Sequence, residues 1–75
     1  MTTQQIMKEI VESSNLSLET IANRMGAKRA SNVSEMLRSK NMRVDNMVKI
    51  LNACGYKLVI QSEEKGSKEI EVKLQ

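Results

Sequence analysis

The sequence predicts a mainly α domain, four helices followed by a C-terminal β-hairpin. Three observations lead there. Apolar residues recur at helical spacing up to Gly55 and tend to alternate beyond it, so the period changes at one point. The helical part is punctuated by cap-forming residues and by Gly26 and Gly55, with no Pro anywhere. At 75 residues and 8.5 kDa there is room for one small core, divided into a helical unit over 1–55 and a hairpin over 56–75.

Each element has its own warrant. Thr2-Thr3-Gln4-Gln5 reads as a capping box, with Gln5 three residues after Thr2. Ile6, Met7, Ile10 and Val11 then line one face of a first helix that runs to about Ser13, and Ser14-Asn15 is a turn. Ser17 caps a second helix, with Glu19 in its first turn and Leu16 and Ile21 at the two positions of a hydrophobic staple. Leu18, Ile21, Ala22 and Met25 form its stripe, and Gly26 stops it.

A third helix is expected from about Ala30 to Ser39, with a narrow stripe of Val33, Met36 and Leu37. A fourth carries Val44, Met47, Val48 and Leu51 and ends at Gly55. Tyr56 to Ser62 reads as a strand, Glu63 to Ser67 as a polar turn, and Lys68 to Leu74 as a second strand with Ile70, Val72 and Leu74 on one side.

Composition removes several function classes. There is no His, Phe or Trp, one Cys (Cys54) and one Tyr (Tyr56). No Cys/His zinc site can be assembled, imidazole acid–base catalysis is absent, and no Ser–His or Cys–His nucleophile pair exists. The expectation is therefore a protein that is not an enzyme and needs neither metal nor cofactor. Stacking readers of single-stranded nucleic acid need several aromatic platforms, which one Tyr does not supply. A lone Cys excludes an internal disulfide, no apolar run approaches the ~18 residues of a membrane span, and no signal-peptide core follows Met1, so the expected place is the cytoplasm. Cys54 reads as a small buried hydrophobe and the Met residues as core filler.

The charge is concentrated. Twelve Lys and Arg against nine Asp and Glu give +3 overall. The tail from Tyr56 holds four of each sign, whereas Arg24 to Arg43 holds six basic residues against Glu35 alone, or +5. The excess surrounds the third helix and its two flanking loops. A solvated helix face accounts for such charge in isolation; a phosphate-binding footprint accounts for its confinement to one helix.

The spacing around that helix separates the two. A helix-turn-helix needs a small residue facing the partner helix, a turn residue tolerant of positive φ, and a buried aliphatic in the second helix. Ala22, Gly26 and Val33 stand in that order, with Ile21 before and Leu37 after. Over about residues 3–55 the chain thereby resembles the Cro and lambda-repressor (XRE) type of helix-turn-helix. Ile21-Ala22 stands where that family has Leu-Ala, and Met42 to Leu51 supplies the following apolar helix. The turn Gly26-Ala27-Lys28-Arg29 is one residue longer than the family's, because Val33 follows Gly26 by seven residues rather than six. Positions on the third helix are therefore counted from Val33.

The resemblance implies a recognition helix, about 30–39, in the major groove of double-stranded DNA. Counting from Val33 turns Ser31, Asn32, Ser34, Glu35 and Arg38 away from the stripe. Base contacts are expected from Arg29, Ser31, Asn32, Ser34 and Arg38: the amide can pair bidentately with adenine and the guanidinium with guanine. Phosphate contacts are expected from Lys28, Lys40, Asn41 and Arg43 in the flanking loops. Glu35, three residues from both Asn32 and Arg38, is expected to act as a cap or intrahelical ion-pair partner, and Lys8 and Lys49 as solvated surface.

A chain this short hides only about 60% of its unfolded surface, and its core lacks large aromatics, so a homodimer is expected. Tyr56, Leu58, Ile60, Ile70, Val72 and Leu74 are the candidate interface, since a lone hairpin is marginal and its edges invite pairing. Antitoxins of the resembled family can dimerise through C-terminal strands; the alternative is a hairpin folded back on its own helices. The expected function is a sequence-specific transcriptional repressor, with the homodimer on a near-palindromic operator. Two other readings stay open: an antitoxin that binds a toxin and represses its own operon, and a helix-turn-helix protein used only for protein–protein inhibition.

Overall fold

A computed structural model describes residues 1–64 and 68–74. Its elements are α1 (Thr3–Ser14), α2 (Leu18–Met25), α3 (Ala30–Arg38), α4 (Val44–Ala53), β1 (Leu58–Gln61) and β2 (Glu69–Val72). Four helices and then an antiparallel hairpin is the architecture read from the sequence. The expected turn falls largely on residues 65–67, outside the described residues.

Local signals place most boundaries. The capping box forms in both directions: Gln5 N–H donates to Thr2 Oγ1 at 3.2 Å, and Thr2 N–H donates to Gln5 Oε1 at 2.8 Å. α1 runs one residue past its expected end and closes on Asn15, which adopts the left-handed conformation at φ 57°. Ser17 Oγ accepts from Thr20 N–H at 3.1 Å at the head of α2. At its foot, Gly26 sits at φ 75° and Ala27 N–H donates to Ala22 O at 2.9 Å. That positive φ is why glycine suits the position. Gly55 at φ 85° follows α4, and Tyr56 N–H returns to Leu51 O at 2.8 Å.

One core holds the helices together. Met7, Val11, Ile21, Ala22, Val33, Leu37, Ile50, Leu51 and Ala53 form it, with Ile21, Val33 and Ile50 wholly buried. α2 packs against α3 and α4, and α1 closes the other side against α3 and α4. Two expected stripe residues are not core. Val44 is 54% exposed because it opens α4, before the helix reaches its neighbours, and Ile6 is exposed as well. Ile50 and Ala53 take their place: α4 contacts both α1 and α2, so its buried face is wider than a single i, i+3, i+4 stripe.

The strands are shorter than the alternating pattern implied. Leu58 pairs with Val72, Val59 with Glu71, Ile60 with Ile70 and Gln61 with Glu69. Leu58 packs on the core, Tyr56 and Leu74 are exposed, and so are Ile60 and Ile70 farther out. The hairpin is thus anchored at its base, and its outer half is not folded back over the helices.

Ile50→Ala should cost about 2–5 kcal/mol in urea unfolding, and Val44→Ala under ~0.5 kcal/mol. Equal losses at the two sites would contradict this assignment of the α4 face.

Candidate nucleic-acid interface

The third helix is fixed by what it buries. Val33 and Leu37 enter the core beside Ile21 and Ala22, which sets the rotation of α3 about its axis. At 100° per residue, Ser31, Glu35 and Arg38 then lie farthest from Val33, and all three are exposed. Asn32 and Ser34 fall on the two flanks and are half-buried, so the expected outward set of five resolves into three outward residues and two at the sides.

The flank bearing Asn32 is the more elaborate. A groove of about 410 Å³ lies between α3 and the start of α4, lined by Asn32, Glu35, Ser39, Asn41, Arg43 and Asn46 with Met36 and Met42 at its apolar side. A second, of about 320 Å³, joins Asn32 to Lys28 in the turn and to Lys49 on α4. Asn32 belongs to both, which brings a base-contact candidate together with Lys28 on one side and with Asn41 and Arg43 on the other. Ser34 lines neither. Lys40 faces elsewhere, into a groove shared with Thr2, Thr3 and Gln4 at the head of α1.

Two roles differ from those expected. Among the described residues Glu35 makes no ion pair and no side-chain hydrogen bond, and α3 starts at Arg29 without a side-chain cap. Glu35 instead is exposed and lines the α3–α4 groove, as Arg43 does. Lys49, read as solvated surface, is half-buried because it lies where α4 passes the α2–α3 turn.

The cations also divide. Arg24 Nη1 donates to Ala53 O at 2.9 Å and so caps the C-terminal end of α4, where a positive charge is favoured. It holds the fold rather than extending the basic belt. Lys28, Arg29, Arg38, Lys40 and Arg43 are exposed, and none is paired with a carboxylate among the described residues; the one ion pair there is Lys73–Glu71 at 4.0 Å.

Gln4 and Asn46 are the residues that sequence reasoning missed. Gln4 Nε2 donates to Leu37 O at 3.2 Å and to Arg38 O at 3.1 Å, tying the first turn of α1 to the last turn of α3. α3 ends on Ser39 in an extended conformation with no left-handed glycine cap, so this amide serves carbonyls that would otherwise face solvent. A contact spanning 33 residues has no local signature. Asn46 could have been flagged only as a polar residue in the first turn of α4.

No protein-family model matches this chain, and no curated protein or solved structure is significantly similar to it. The functional reading therefore stands on residue chemistry and geometry.

Gln4→Ala should lower unfolding free energy by about 1 kcal/mol. Urea titration checks this, and Gln4→Ala as stable as the parent would refute the tether.

Proposed function

We propose that the protein is a sequence-specific, double-stranded DNA-binding transcriptional repressor of bacterial or phage type. In this reading it acts in the cytoplasm as a homodimer, without metal or cofactor. The observation that carries the reading is the division of labour on α3. Its Val33–Leu37 side is locked into the core, while its far side and flanking loops present five cations unpaired with carboxylates among the described residues. The resemblance to the Cro and lambda-repressor type supports the same conclusion.

α3 enters the major groove, which is wide enough for one helix. Ser31 and Arg38 meet base edges from its outer face, Arg29 from its start, and Asn32 and Ser34 from its flanks. Lys28, Lys40, Asn41 and Arg43 hold phosphates on either side and set the register. In the dimer two such helices lie one turn of DNA apart, about 34 Å, on a near-palindromic site.

A shift assay with DNA from upstream of the gene at several salt concentrations tests this. Lys28, Lys40 and Arg43 of both protomers should give a log–log salt slope of about −5, at roughly 0.9 per neutralised phosphate. Lys40→Ala should reduce it by about 2 for the dimer while weakening all sequences alike. Asn32→Ala with Arg38→Ala should instead lower the ratio of operator to non-specific affinity by tenfold or more, at about 1–3 kcal/mol per lost bidentate contact. A flat salt response would sink the DNA-binding reading, and an unchanged ratio would sink the assignment of α3.

A further inference from the structure

The apolar faces of α1 and α4 do not close completely on each other. Between the two helices and the base of the hairpin lies a groove of about 290 Å³. Buried Met7 and Leu51 line it, together with half-buried Ile10, Met47 and Leu58. An aromatic ring would fill such a space, but the chain has no Phe and no Trp, and Tyr56 stands exposed beside it. Ile6 is exposed there as well.

The polar groups of this groove are few and favour one sign of charge. Among the described residues, Lys57 is the only charged residue that lines it, and no carboxylate does. Lys57 is exposed and is not paired with a carboxylate among the described residues, where the one ion pair is Lys73–Glu71. The hydroxyls of Thr3 and Tyr56 complete the polar side. Thr3 also opens α1, whose N-terminal end favours negative charge. An apolar surface with one ammonium and two hydroxyls is complementary to an apolar chain that ends in an anion.

Size narrows the occupant further. At about 30 Å³ per water-sized group, the groove accommodates a chain of about eight to ten carbons. A partner helix would need anchors over two turns, and a groove of this volume has room for about two large side chains.

The geometry points to a binding site for an unbranched aliphatic carboxylate of about eight to ten carbons, a medium-chain fatty acid. Its tail lies over Ile10, Met47 and Leu51 between α1 and α4. Its carboxylate meets the Lys57 ammonium, with the Thr3 and Tyr56 hydroxyls as further donors. None of these residues lines either groove beside α3, so the site is separate from the nucleic-acid interface.

The methionines report on the site directly. Met7 and Met47 line it, whereas Met36 and Met42 line the α3–α4 groove. In the whole chain labelled with methyl-¹³C methionine, decanoate should move the Met7 and Met47 signals saturably and leave Met36 and Met42 in place. The expected Kd is about 1 mM or below. Each methylene added from hexanoate to decanoate should tighten binding about threefold. Lys57→Glu, at an exposed position, should weaken decanoate binding about tenfold and reverse the preference for decanoate over decylammonium. Tyr56 and Leu58 also belong to the expected homodimer interface, so the titration is run at two protein concentrations with sedimentation alongside. The affinity should be the same at both.

An absent response, equal shifts at all four methionines, or an affinity indifferent to chain length would each overturn the site. So would a Lys57→Glu variant that keeps the parent's preference, or an affinity that falls as the chain self-associates. If decanoate binds as described and no DNA is bound, the repressor reading fails and the carboxylate site stands.

Discussion

A helix of nine residues is too short to persist in water by itself, so α3 exists because Val33 and Leu37 are buried. That burial is the constraint on which the rest depends. Val33 reaches full burial in the cluster that holds Ile21 and Ala22, with Ala22 small enough to let the two helices come close. Because the stripe is narrow, the core claims one side of the helix and leaves the remainder for polar chemistry. Both ends of α3 are then tied down. Gly26 turns the chain into its start, and the Gln4 amide holds its final carbonyls to α1. Their combined effect is a polar surface of fixed orientation, which is what recognition of an edge pattern demands.

Around that surface the side chains sort by chemistry. The groove between α3 and α4 gathers the amides of Asn32, Asn41 and Asn46, while Lys28, Arg29, Arg38, Lys40 and Arg43 stand exposed around α3. Amides discriminate donor–acceptor patterns, and cations neutralise phosphates without regard to sequence. Arg24 shows why net charge by itself is a coarse guide. It falls within the same basic stretch of sequence, yet its guanidinium is committed to the end of α4.

The hairpin obeys a different logic. Two strands with one apolar face cannot sustain themselves in water, and only the base of this hairpin, at Leu58, reaches the core. The molecule is accordingly elongated, 41 × 25 × 22 Å. Exposed Ile60 and Ile70 would be a liability in a protein that stayed single, and the charge on β2 limits that liability to one edge.

By itself the sequence determined the order and type of the elements, because caps, left-handed turn residues and the change of hydrophobic period act over a few residues. Thr2, Ser17, Gly26 and Gly55 each mark a boundary close to where the backbone turns. It also determined which side of α3 is buried, since only the Val33 stripe is apolar. What only the tertiary structure decided is every feature set by two elements meeting. The Gln4 tether, the capping role of Arg24, the two grooves that draw in Asn46 and Lys49 respectively, and the exchange of Val44 for Ile50 in the core are all of this kind. The physical reason is distance along the chain: a hydrogen bond across 33 residues, or a helix face shared between two neighbours, leaves no trace in local spacing.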